Sequence, residues 1–164
     1  MIPVIPLERS VIIACESIED FGYNRIVHAT KNLRGIGGYK VGAPPILQMG
    51  CQNFIHYIRG DYGTDKTLIY DHQKGGTDIP DTATTILNAI ARPRATKARG
   101  FDAVILYPLS GPVSEEVLIE AARHYGLGVL VGGLMSHEGF LRSEGGFFAD
   151  EAVPELYLAA AEEG

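Results

Sequence analysis

From Val11 onward, short runs of aliphatic and β-branched residues alternate with longer stretches whose apolar positions recur every three or four residues. Unbroken apolar runs are the pattern of strands covered on both faces, and the longer stretches that of amphipathic helices, so the chain reads as successive βα units around a parallel sheet. The first strand spans 11–16, after which Ser17 as N-cap and Asp20 in an acidic first turn open a helix running to Leu33, closed by Gly35, Gly37 and Gly38. A second strand at 39–41 leads through Gly42 and Pro44-Pro45 into a helix whose Leu47, Cys51, Phe54, Ile55 and Ile58 form a core-packing stripe. The third strand is 67–71, followed by a loop at 72–80 and a helix starting near Asp81 or Thr82 that Pro93 kinks or ends. Strand 103–107 with helix 114–125, then strand 128–131 with a glycine-rich loop and a helix at 151–162, complete five units.

No low-complexity linker interrupts this alternation, so the pattern predicts one domain over residues 1–164. A closed eight-unit β/α barrel takes about 200 residues or more, so the chain is expected to supply five units of such a barrel and not to close alone. An open doubly wound sheet is the other architecture of this length. With 14 Lys and Arg against 20 Asp and Glu, the net charge of −6 opposes nucleic acid and anionic membrane as partners and favours a small molecule or a protein. No apolar run reaches membrane-spanning length and no signal-peptide pattern opens the chain, which points to the cytoplasm. Cys15 and Cys51 lack paired or metal-type spacing and read as reduced packing residues, and the five histidines have no ligand spacing either.

The chemistry concentrates in Asp71-His72-Gln73-Lys74-Gly75-Gly76-Thr77-Asp78-Ile79-Pro80-Asp81-Thr82, directly after the third strand. Loops at strand C-terminal ends are where parallel α/β proteins assemble their sites. Two carboxylates flank one ammonium there, and Gly75-Gly76 allows the backbone to approach a ligand. Lys40 adds a second cation inside a short β-branched strand, a place where a charge is costly unless it faces a site or meets an acid. Neighbouring strand ends bring it near Asp71. Gly132-Gly133 and Gly145-Gly146 are followed by no phosphate-binding helix pattern and read as loop glycines.

These segments resemble a known family. Lys40-Val41-Gly42-Ala43-Pro44, the 71–82 loop and Met135-Ser136-His137-Glu138-Gly139 occur in the order and spacing seen in orotidine 5′-phosphate decarboxylases. The family loop has Asp-x-Lys-x-x-Asp followed by Ile-Pro-x-Thr. Asp71, Lys74, Asp78, Ile79, Pro80 and Thr82 match those types, with one extra residue before the lysine and another before the second aspartate. The family's first-strand aspartate falls on Glu16, and Ser136 matches its pyrimidine-contacting serine.

The resemblance implies a (β/α)8 barrel and decarboxylation of orotidine 5′-phosphate to uridine 5′-phosphate, with neither metal nor organic cofactor. It makes Lys74 the acid that protonates the ring carbanion, Asp71 its positioning partner, and Lys40 the ribose-binding member of an alternating charge array. Glu16 would contact the sugar, while Asp78 and Thr82 would reach a neighbouring subunit's site in a homodimer. The family grips phosphate after its last two strands, so a chain of 164 residues is expected to be weakly active or inactive by itself. Two other readings remain: a non-catalytic pyrimidine-nucleotide binder or half-barrel assembly partner, and a magnesium-dependent sugar-phosphate decarboxylase or hexulose-phosphate synthase relative. Ile79-Pro80-Asp81-Thr82 resembles the orotidine enzymes and speaks against the latter.

Overall fold

The computed structural model describes residues 4–6, 9–16, 22–72, 80–92 and 99–163. Five strands, β1 (Val11–Ala14), β2 (Ile36–Val41), β3 (Thr67–Asp71), β4 (Ala103–Leu106) and β5 (Gly128–Val131), form one all-parallel sheet in the order β1-β2-β3-β4-β5. Between and after them come α1 (Gly22–Thr30), α2 (Ala43–Met49), α3 (Cys51–His56), α4 (Pro80–Ala91), α5 (Pro112–His124) and α6 (Ala152–Glu162). The strand order runs without the switch point that defines a doubly wound sheet, so the open doubly wound alternative does not hold. This sequential all-parallel order is compatible with an arc of a β/α barrel.

The two sheet faces are legible in the strand alternation. Tyr39 and Val41 of β2, Leu68 and Tyr70 of β3, and Val104 and Leu106 of β4 join a single core with Tyr23 and Val27 of α1, Phe54 and Ile55 of α3, Leu87 and Ile90 of α4, and Leu118 and Ile119 of α5. Each such fully buried aliphatic side chain contributes roughly 1.5–3 kcal/mol. The intervening residues, Gly38 and Lys40, Thr67, Ile69 and Asp71, Ala103 and Ile105, and Gly128 and Leu130, line the opposite face. At the N-terminal end of that face, Thr67 Oγ1 donates to the Val4 carbonyl at 3.2 Å, and the Val4 side chain fills the space where Gly128 lacks a Cβ.

The same end is locked by a buried ion pair. Arg59, in the π-helical turn Tyr57–Asp61 that extends α3, donates to Asp102 Oδ2 at 2.7 Å and to the carbonyls of Thr64 and Lys66. Asp102 Oδ2 also accepts the Leu68 amide at 2.8 Å, tying the entries of β3 and β4 together. Burial pulls the guanidinium pKa down, and the charge and hydrogen bond of Asp102 oppose that pull. Cys15 and Cys51 are free thiols; burial, aided by Glu16 at Cys15, pushes each pKa up to about 11, which suits unreactive packing residues. Among the described residues, no helix is long and apolar enough to cross a membrane.

Several element boundaries depart from the periodicity. The first helix stops at Thr30 instead of Leu33, where Thr30 Oγ1 bonds back to the Ile26 carbonyl and meets the Tyr39 hydroxyl. Ser17 and Asp20 lie outside the described residues. Gly37 and Gly38 do not end that helix; they belong to β2, where a Cβ on Gly37 would meet Ser10 and Ile5 and one on Gly38 would strike the Thr67 carbonyl. The stripe from Leu47 to Ile58 is broken by Gly50 at φ +76°, which splits it into α2 and α3. Pro45 is buried on α2 in consequence, whereas Leu47 is 82% exposed and is no core residue. Helix α4 begins at Pro80 and ends at Ala91, two residues before Pro93, and α5 begins two residues early because Pro112 occupies its first turn.

Candidate functional site

Three successive strands deliver one charged residue each to the C-terminal edge of the sheet. Register pairs Ala14 with Lys40 and Lys40 with Ile69, so Glu16, two residues past Ala14, and Asp71, two past Ile69, flank the lysine on the same face. Lys40 Nζ lies 2.6 Å from Glu16 Oε1 and 2.7 Å from Asp71 Oδ2. The exposure of the three side chains grades across the cluster: 48% for Glu16, 28% for Lys40 and 8% for Asp71. One end of the array is therefore open to an incoming ligand and the other is anchored in the protein.

Burial pulls the Lys40 pKa down, but the hydrogen bonds and charges of Asp71 and Glu16 outweigh it and hold the value above that of an ordinary lysine. At neutral pH Lys40 is an ammonium, suited to donate hydrogen bonds and counter negative charge, and unsuited to act as an amine nucleophile. The strand supplies what the sequence pattern required: a lysine that meets acids on both sides of its short β-branched segment.

Tyr107 is a member of this site that the sequence pattern placed in a strand without assigning it a role. It follows β4 by one residue, on the face of Ile105, and Ile105 is the register partner of Asp71. Burial raises the phenol pKa and the Asp71 charge raises it further, while Lys40 opposes them. Gly132, just past β5, leaves room for the ring, since a Cβ there would lie 2.7 Å from Cε2 and 2.8 Å from Cε1. The available signal was the alternation itself, Ala103, Ile105, Tyr107, which ends on a polar-tipped aromatic at the strand's C-terminal edge.

Of the residues singled out from sequence, Glu16, Lys40 and Asp71 are brought together. Lys74 and Asp78 lie outside the described residues; Thr82 is in α4, with its side chain likewise outside them. Ser136 sits exposed in the loop after β5, and no hydrogen bond joins it to Glu16, Lys40 or Asp71 among the described residues. His72, which follows Asp71, is buried with its ring 5.5 Å from that of Tyr70, on the helix-covered side. Among the described residues, no group of three or more His, Cys, Asp or Glu side chains is arranged to hold a metal ion.

Fold and site together define an α/β protein whose five-stranded parallel sheet carries an acid–base–acid cluster at the C-terminal ends of its first three strands. No protein-family model matches the chain, and no curated protein is similar to it.

Proposed function

We propose that this protein acts on a pyrimidine nucleotide, decarboxylating orotidine 5′-phosphate to uridine 5′-phosphate at the edge occupied by Glu16, Lys40 and Asp71. The observation that carries the reading is Lys40 held between two carboxylates contributed by the neighbouring parallel strands. Alternating charges of this kind suit a reaction that loses carbon dioxide from an anionic ring and leaves electron density on carbon.

In this reading the strands are an arc of a (β/α)8 barrel, with the face bearing Lys40 turned inward. Lys74, three residues beyond Asp71, supplies the ammonium that stabilises the developing carbanion and protonates it. Asp71 positions that ammonium, and its own charge repels a substrate carboxylate about 4 Å away by about 4 kcal/mol at an effective dielectric near 20. Lys40 and Glu16 bond to the ribose, and Ser136 contacts the ring from the β5 loop. Asp78 and Thr82 complete the site of a second copy, so the competent unit is a homodimer. No step is assigned to a metal or an organic cofactor.

The test is an ultraviolet assay of orotidine 5′-phosphate turnover by the purified protein, run with and without chelator. The reading predicts weak turnover, indifferent to chelator and reduced about 10²-fold or more in Lys74→Ala, the scale of a lost general acid. Turnover that chelator abolishes would move the protein to the magnesium-dependent decarboxylases. Uridine 5′-phosphate binding without turnover would favour the non-catalytic binder.

A further inference from the structure

Between the first turn of α5 and α6, beside the segments that follow β4 and β5, lies a cavity of about 350 Å³ walled by Leu109, Phe140, Phe148, Val153 and Leu156. Phe140 and Phe148 stack with ring centroids 4.5 Å apart and planes inclined by 28°, and the Phe148 amide donates to the Phe140 carbonyl at 3.2 Å. The aromatic wall is thus fixed by backbone pairing. Cavities of this size with mostly apolar linings and a few polar groups are the common form of small-molecule sites.

One polar group on the lining stands out. Glu115, in the first turn of α5, is 3% exposed, and its Oε1 is buried with no hydrogen-bond partner among the described residues. An unpaired buried carboxylate is destabilising, and packing alone gives no reason for a glutamate here. The helix N-terminus offsets only part of that cost. No cation among the described residues pairs with Glu115, and Arg123, in the last turn of the same helix, donates to the Glu163 carbonyl at 2.7 Å. Burial, reinforced by the charge of Glu163, raises the Glu115 pKa. The surroundings add negative charge: Glu155 lines the same cavity, and Glu116, Glu162 and Glu163 line a smaller adjoining one that Glu115 also borders.

We propose that this cavity binds a small organic cation, with an apolar ring-bearing body against Phe140 and Phe148 and a protonated amine paired to Glu115. Charge selects the class of ligand: the stacked rings offer π faces and dispersion contacts, while the orphaned carboxylate and its acidic rim reject anions and favour an ammonium. The site is separate from the Glu16, Lys40 and Asp71 cluster, and the proposal does not depend on the decarboxylase reading.

The test is calorimetric titration of the full chain at neutral pH with phenethylamine, and with 2-phenylethanol as the neutral probe of similar shape. The amine is expected to bind about tenfold or more tightly than the alcohol. Glu115→Gln should erase that preference while leaving the alcohol's affinity in place, and Leu156→Trp, which fills the cavity, should weaken both. Equal affinity for the two probes in the unaltered protein would overturn the proposal, as would no binding of either at about 10 mM or a preference that survives Glu115→Gln. Should circular dichroism show Glu115→Gln unfolded, Leu156→Trp decides: amine binding that persists in the filled cavity overturns the assignment.

Discussion

Lys40 owes its charged state to its neighbours, and this makes its contribution to stability readable by titration. Its pKa is raised in the folded chain, so the stabilisation is complete below the unfolded lysine value near pH 10.4 and is lost as pH climbs through the folded value. Lys40→Met should therefore lower unfolding stability by about 1–3 kcal/mol between pH 7 and 9, less than a fully buried pair because Lys40 is partly solvated. The gap between the two proteins should narrow above about pH 10.4. Denaturant melts across that range check it; a gap constant to pH 11.5 would mean that the ion pairs contribute nothing. At Tyr107 the constraint is steric. Gly132→Ala places a methyl against the ring, and the overpacking should cost about 1–3 kcal/mol by chemical denaturation, accompanied by a shift in the Tyr107 ring resonances.

At the scale of elements, the sheet is secured at the end remote from the site. Arg59 reaches from the π-helical turn to Asp102 and to the carbonyls of Thr64, Lys66 and Gly100, and Asp102 takes the Leu68 amide. Asp102→Ala leaves a buried guanidinium without its counter-ion and should cost about 3–5 kcal/mol in unfolding free energy. A loss below about 1 kcal/mol would show that Arg59 finds solvent instead. Element identity was legible in the chain because each strand is an unbroken apolar run and each helix has a repeating stripe. Boundaries were legible only where local chemistry set them. Gly50 sits inside the continuous pattern from Leu47 to Ile58, and periodicity carries no sign that the backbone there turns to positive φ. Gly37 and Gly38 read as helix breakers, yet they are strand residues chosen for close approach to Ile5, Ser10 and Thr67, contacts that only the folded sheet creates. The Arg59–Asp102 pair left no trace in the pattern either, since its partners are 43 residues apart.

At the scale of the whole molecule, strand order relates the fold to the site. A sequential parallel sheet puts the C-terminal ends of all its strands on one edge, so residues 31 positions apart, Lys40 and Asp71, meet without any loop having to bring them together. That is why two of the three charged positions could be paired from sequence once the strands were placed, and why Glu16 follows from register. Ser136 belongs to a loop instead of a strand, and its position depends on chain folding that no strand alternation determines. The pyrimidine-nucleotide site proposed at the Glu16, Lys40 and Asp71 edge requires that this edge bind such a nucleotide. It is tested most directly by calorimetric titration of the purified protein with 6-azauridine 5′-monophosphate, alongside Lys40→Ala. The expected result is saturable binding by the unaltered chain and affinity at least about tenfold weaker in the variant, a loss of about 1.4 kcal/mol or more. Equal binding by the two folded proteins, or none by either, would contradict it.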